Sequence, residues 1–558
     1  MSHVRGFSRR RFLSGVAILG ATPVYSRLAA LPPFQPDRQW TGDDFDEGHD
    51  LLRNPRGLLR QLGEPVDHPE AYDVIVAGGG ISGLTVAYKL RRRRILLLER
   101  ERETGGVSKS ENWNGIEYAL GAAYMIDPEP DEEDPAPQDV LNYELLVELG
   151  LREKGEDLAK EHGKRRRWAG NANHCVFTNS AVVPEQNVYT EQNVKFFEAV
   201  NESDNFPSIP PADQRLVHRL DTLSFQQFLL DAKVQQELYG ATVGDIPAGG
   251  WEAIEYYFWG AFGTNSWETS AYHGLNFFAA EFGNILVYPG GNAYIARRLT
   301  ERLRLHHPEI IRTGHCVLLI EPEREGKAYA VLAYRDRKVH RYHARAVVFA
   351  SPLFLAKRII PSLPAAQLQA LDTLDYRSYV VANVLLRRPM RRIFSDKHFA
   401  DGYELTRIHG VDVRHAKPEH LSARGVFSDI VNATFPIWGE SDYAILTVYR
   451  PYPYAHGRER LRYLTYDYVE AEIRCAVLEG LSQHGLRGSD IEGVRLTRWG
   501  HPMLIARPGQ LAGGVMALAG RSHPGLYFSH TDVQGAPAIE NALASAHATV
   551  EAVTAYLR

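Results

Sequence analysis

The stretch from Tyr72 to Glu99 leaves this chain few choices of fold. Tyr72-Asp-Val-Ile-Val-Ala77 carries the continuous apolar run of a strand buried on both faces, and Gly78-Gly79-Gly80-Ile81-Ser82-Gly83 is a Gly-x-Gly-x-x-Gly turn. Leu84-Thr-Val-Ala-Tyr-Lys-Leu90 then reads as helix and Ile95-Leu-Leu-Leu98 as a second buried strand. Strand, glycine turn, helix and strand make the unit that opens a doubly wound α/β sheet and binds a dinucleotide. In that unit Gly78 allows the tight turn, Gly80 lets the backbone approach a pyrophosphate, and Gly83 lets helix pack on strand. Phosphates lie at the helix start, beside Ser82, where unpaired N–H groups and the helix dipole favour anions. Glu99 stands 99 − 78 = 21 positions after the first glycine, where an acid accepts from ribose hydroxyls and repels a 2′-phosphate. The predicted ligand is NAD or FAD.

At 558 residues the chain exceeds the roughly 250–300 at which one core stops growing, so two or more domains are expected. Lys and Arg number 63 against 68 Asp and Glu, a balance of −5 that gives no footprint for a nucleic-acid partner. No long apolar run suggests a transmembrane anchor. The three cysteines, Cys175, Cys316 and Cys475, can close at most one disulfide and lack metal-ligand spacing, so no metal site is expected.

Ser8-Arg9-Arg10-Arg11-Phe12-Leu13 precedes a modestly apolar stretch from Phe12 to Ala21. This resembles a twin-arginine export signal over residues 1–30, with Ser26, Ala29 and Ala30 as cleavage points. It predicts passage through the twin-arginine export machinery to the periplasm or beyond, with no membrane anchor after processing. Residues 31–71 read as a polar lead-in, and Asp127 to Pro137 as an acidic, proline-broken loop. The basic runs Arg91–Arg94 and Lys164–Arg167 read as solvated faces. Trp251, Tyr256, Tyr257, Phe258, Trp259, Phe262, Trp267, Tyr272, Phe277, Phe278 and Phe282 are dense enough for either a core or a ring-lined cavity.

Downstream of Glu99 come Arg100, Gly105-Gly106-Val107-Ser108 and Gly121-Ala122-Ala123-Tyr124, and near the end Ser529-His530-Thr531-Asp532 with Gly535-Ala536-Pro537-Ala538-Ile539-Glu540-Asn541-Ala542. Together these resemble the flavin amine oxidase and phytoene desaturase superfamily. The resemblance implies FAD. It assigns Gly105, Gly106, Val107 and Ser108 to the diphosphate and flavin ring, and Asp532, Ala538 and Ile539 to the ribityl chain and pyrimidine side. A middle element, Val317 with Ile320 and Ala350-Ser351-Pro352, falls on the adenine side. The implied fold is a Rossmann-like, glutathione reductase-type FAD domain, discontinuous over 72–130, 286–360 and 496–558, with an α+β substrate domain over 131–285 and 361–495.

Leu220-Asp-Thr-Leu-Ser-Phe225, Pro289-Gly-Gly-Asn-Ala293 and Thr497-Arg498-Trp499-Gly500-His501 are most similar to exported spermidine dehydrogenase-like proteins, while Val107 replaces an arginine common in monoamine oxidases. The implied reaction moves a hydride equivalent from the carbon beside an amine, with polyamines among the candidate substrates, to flavin N5, followed by imine hydrolysis. Trp499 and His501 are the candidate catalytic residues. The acceptor would be oxygen, a quinone or a carrier protein; haem occurs in some relatives, but no Cys-x-x-Cys-His is present. Two other readings stay open: a desaturase or protoporphyrinogen-type oxidase on a hydrophobic substrate, and a non-catalytic flavin-binding redox or assembly partner.

Overall fold

Val74 to Ala77 and Ile95 to Leu98 are all buried and pair in parallel register, Val74 opposite Ile95 through Ala77 opposite Leu98. Alternation sends Val74 and Val76 into one core, under the helices Ile81–Lys89, Ala293–His306 and Ile539–Tyr556, and Ile75 and Ala77 into another, against Leu353–Ile359. A strand buried on both faces has to be apolar at every position, which is why the sequence shows a run here rather than an alternation.

The structure is a computed structural model that describes residues 40–42, 45–128, 137–152, 165–167, 175–178, 189–280, 284–323, 328–390, 396–398, 407–408, 411–412, 428–434, 436, 441–453, 456–481 and 484–558. The export-signal residues, most of the acidic loop after Asp127, and Phe282 lie outside the described residues.

Seven strands form the first sheet, in the order Cys316–Pro322, Tyr329–Arg335, Lys338–Phe349, Val66–Ala77, Ile95–Leu98, Ile311–Arg312, with Leu526–Phe528 also on Lys338–Phe349. The long strand Lys338–Phe349 runs parallel to Val66–Ala77 and antiparallel to Tyr329–Arg335, joining a parallel layer to a meander. The second sheet is antiparallel, in the order Asp396–His398, Asp429–Asn432, Ala444–Tyr452, Tyr376–Leu386, Ile491–Leu504. Val380, Ala382, Val384 and Leu386 face the helices Gly457–Tyr463 and Tyr466–Gly480. A helical layer from Glu191–Asn201 to Ala271–Ala280 is packed around Phe196, Phe197, Phe225, Phe228, Phe258 and Phe278. Among the described residues no helix is long and apolar enough to cross a membrane.

Two of the expected boundaries move. The first strand starts at Val66 rather than Tyr72, because Val66 and Asp67 already pair with His340 and Arg341. The chain returns to the nucleotide sheet only after Leu504, not at 496, because Tyr376–Leu386 pairs with the strand through Leu504. The lead-in is folded too: Leu51 of the helix Phe45–Leu52 is buried against Cys316 and Leu318, and Trp40 bridges to Leu496.

Arg377 joins the helical layer to the second sheet, 2.9 Å from Glu268 and 3.1 Å from Asp375, with Arg507 also 3.1 Å from Asp375. Nearby, Glu255 is fully buried and accepts from the amide and hydroxyl of Ser266. Burial pushes its carboxyl up to about 7. A folded-state value above the unfolded one means the folded form holds the proton more tightly, so the associated stability is present below the ordinary glutamate range and is lost as pH rises through about 7. Glu255→Gln is expected to leave the melting temperature at pH 5 nearly unchanged and to raise it at pH 8. Parallel pH profiles for the two proteins would contradict this.

Candidate active site

The glycine turn is held by close approaches. Gly78 has φ +122°, and a Cβ there would lie 2.3 Å from the Ala350 carbonyl oxygen; at Gly83 it would lie 2.0 Å from the Gly78 oxygen. At Gly80 the nearest atom to a Cβ is Gly106 Cα at 4.0 Å. The second glycine pair docks on this turn through Gly105 N–H, which donates to the Gly79 carbonyl at 2.7 Å. Glu99 closes the arrangement: Oε2 accepts from Gly79 N–H at 2.7 Å and Oε1 from Glu101 N–H at 2.8 Å. Burial pushes this carboxyl up, opposed by the Gly79 N–H and by Lys109 and Arg100. Each oxygen keeps a lone pair for a further donor such as a ribose hydroxyl.

These residues open onto one cavity of about 1990 Å³. That is larger than the roughly 300–1,000 Å³ usual for a small ligand, and suits an extended dinucleotide plus a substrate. Gly78, Gly80, Ser82, Glu99, Arg100, Gly105, Gly106, Val107, Ser108, Val317, Ala538 and Ile539 all line it, as do Trp499 and His501. Gly83 and Asp532 do not. Gly83 is taken up by packing on Gly78 and Ala350, and Asp532 is buried behind the wall, where Oδ2 accepts from Leu353 N–H at 2.9 Å and Tyr376 O–H at 2.7 Å. Ser82 also has a structural tie, its hydroxyl 2.6 Å from that of Ser529.

The cradle fits a dinucleotide. The helix Ile81–Lys89 starts at Gly80 with no side-chain cap, on a turn that lines the cavity, and the free Cβ direction at Gly80 leaves room for a close ligand.

Trp499 is oriented by its indole Nε1–H, which donates to the Leu120 carbonyl at 2.6 Å, and Lys109 Nζ lies 5.9 Å from its ring centre. His501 has a different character from a general base. Arg458 Nη1 lies 3.0 Å from His501 Nδ1, and because arginine can only donate, Nδ1 must accept. Burial, then the charges of Arg458, His49 and Arg358, push this imidazole down to about 3, so it is neutral and carries its proton on Nε2.

Several cavity residues carried no local signal. Tyr449 pairs with Asp429 on one side and Val381 on the other, and all three line the cavity with Tyr379. Tyr449 O–H donates to the Gly121 carbonyl at 2.7 Å, and Tyr379 O–H donates to the carbonyls of Trp259 and Gly260. Of the aromatic stretch, Tyr257, Tyr272 and Phe277 reach the cavity, while Trp251, Phe258, Phe262 and Phe278 belong to the helical core. Glu540, one residue past Ile539 in the quoted motif, accepts from Ile126 N–H at 2.7 Å and is pushed up to about 7 by burial. Charged side chains of both signs line the cavity, Asp139, Glu202, Asp204 and Asp213 among the acids and Arg53, Arg358, Arg458 and Arg462 among the bases.

Known proteins share this architecture. A putrescine oxidase solved with putrescine superposes with a TM-score of 0.57 at 17% identity, over 88% of this chain and 100% of that one. Cyclohexylamine oxidase from Brevibacterium oxydans IH-35A gives 0.54 at 16%, over 87% and 99%. At such identities the likeness shows the fold. In sequence, oxidoreductase PigB of Serratia sp. (strain ATCC 39006) is 22% identical over 547 residues, covering 88% of this chain and 76% of that protein. Protoporphyrinogen oxidase 2 of Arabidopsis thaliana is 37% identical over only 83 residues, 14% of each. The profile of the flavin containing amine oxidoreductases matches residues 81–456, more than half of the chain, and the protein belongs to that family of FAD-dependent oxidoreductases.

Proposed function

We propose that this chain is an exported amine oxidoreductase that oxidises the carbon beside an amine nitrogen, with polyamines as the first substrate class, and yields an imine that water hydrolyses. The observation that carries the reading is a set of acids on the cavity wall: Glu202 and Asp204 are exposed, Asp213 is half-buried, and all three line the same space as the glycine cradle. Such carboxylates raise the local concentration of a cationic amine. The solved likeness to a putrescine oxidase supports the polyamine reading, and Ser8 to Leu13 supports export.

Gly78, Gly80 and Ser82 at the helix start would hold the diphosphate of FAD, Glu99 its ribose, and Gly105 to Ser108 with Ala538 and Ile539 its flavin end. When bound, FAD supplies the acceptor for two electrons. The chain's own residues have to strip water from the amine and aim it. Trp499, Tyr379, Tyr449 and Tyr257 give the cavity aromatic walls, which attract a cation without taking its proton. The hydroxyl protons of Tyr379 and Tyr449 are committed to backbone carbonyls, so neither is poised to protonate the amine. Oxygen, a quinone or a carrier protein would reoxidise the enzyme.

The test is made on protein recovered from the periplasmic fraction of a host that has twin-arginine export. Putrescine, spermidine or benzylamine is added without oxygen while the flavin's visible band is followed. Bleaching with formation of one aldehyde per flavin is expected. If no amine bleaches the band the amine reading falls, and recovery only from the cytoplasm removes the export reading.

A further inference from the structure

Enclosed arginines in this protein meet carboxylates. Arg450 forms a two-point contact with Glu472 at 2.7 and 2.8 Å, Arg377 meets Glu268 and Asp375, and Arg152 meets Asp127. Four arginines on the cavity wall, Arg53, Arg358, Arg458 and Arg462, form no ion pair among the described residues; Arg458 is half-buried and the other three are exposed, and two of the four lie beside His501. Arg358, on the helix Leu353–Ile359, donates to the Leu52 carbonyl at 3.1 Å, and Arg458, on Gly457–Tyr463, donates to His501 Nδ1 at 3.0 Å. Among the described residues neither has a carboxylate within 4.0 Å. The nearest acids in sequence are engaged elsewhere: Glu459 lies 3.5 Å from His456, and Asp372 takes Lys357 at 2.5 Å.

His501 completes the group. Its ring packs on Phe354 at 4.5 Å between centres, and its Nε2–H has no hydrogen-bond partner among the described residues. Arg458 donates to His501, and His501 packs on the helix that carries Arg358, so two charged guanidiniums and one neutral imidazole N–H from three separate elements lie on the same cavity wall. Arginine forks match carboxylate and phosphate oxygens, and an imidazole N–H adds a directed donor.

We propose that Arg358, Arg458 and His501 form an anion-binding limb of the cavity that takes a carboxylate or phosphate group. That group belongs either to the FAD diphosphate or to a separate anionic small molecule. The limb is independent of the amine reading, since no amine takes part in its test.

The FAD-loaded protein is titrated calorimetrically with inorganic phosphate and with acetate at low salt, and FAD affinity is measured against salt, for wild type, Arg358→Gln, Arg458→Gln and Arg458→Lys. If a separate molecule is the occupant, the loaded protein binds phosphate or acetate, and each Gln variant weakens this about tenfold, as loss of a charged hydrogen bond should. If the FAD diphosphate is the occupant, the loaded protein binds neither anion, and each Gln variant loosens FAD about tenfold and flattens its salt dependence. In both cases Arg458→Lys, which keeps the charge, recovers part of the loss. The limb is overturned if the Gln variants melt as wild type does and change neither anion nor FAD affinity.

Discussion

Gly80→Val is expected to give a folded but colourless protein. The backbone at Gly80, φ −71° and ψ 179°, is extended and open to any residue, and a Cβ there meets nothing nearer than 4.0 Å. Stability should therefore change by no more than about 1 kcal/mol. The same Cβ points into the space where a diphosphate must approach the helix start, so FAD affinity should fall by about a hundredfold or more, the cost of steric overlap near 3 kcal/mol. Gly83→Ala is the contrasting case. Its Cβ would stand 2.0 Å from the Gly78 oxygen and 3.0 Å from Ala350 Cβ, so the strand and helix must part, losing about 3 kcal/mol of stability and the colour with it. Absorption spectra and thermal melts of both variants check this. A yellow Gly80→Val protein would move the diphosphate away from this turn.

The difference between those two glycines explains how much of this protein can be read without a structure. The nucleotide half is local: a run of buried strand, a glycine turn and an acid are neighbours in sequence because they are neighbours along one βαβ unit. The substrate half is assembled by register. Val381, Tyr449 and Asp429 come from three strands and meet only because Ala444–Tyr452 lies between the other two. No spacing rule joins residues so far apart. Trp499 and His501 were legible as candidates, yet their strand was not, since Thr497 to His501 looks like the lead into the C-terminal motif until its pairing with Tyr376–Leu386 is seen. The anion limb escaped for the same reason: an arginine in sequence does not show whether folding will bring it a carboxylate.

Asp532 makes the sharpest separation between contact and support. Its place in the C-terminal motif implies a residue that touches FAD, but it is 1% exposed and does not line the cavity. Its Oδ2 holds the first N–H of the helix Leu353–Ile359, which has no other side-chain cap, and the hydroxyl of Tyr376 at the start of the second sheet. Burial works to raise its carboxyl, but His530, the Leu353 N–H and the Tyr376 O–H outweigh this and hold it below the ordinary aspartate range. The resulting stability is present above that range and is lost as pH falls through the folded-state value. Asp532→Ala leaves two buried donors unpaired, at about 1–3 kcal/mol each, so a loss of about 4 kcal/mol is expected at pH 7 and a smaller one at pH 3. Asp532→Asn, which keeps one acceptor oxygen, should lose about half as much. Denaturant unfolding at the two pH values measures this, and FAD affinity of the folded fraction should be little changed. A variant that unfolds like wild type at both pH values yet binds FAD poorly would place the Asp532 side chain against the cofactor instead.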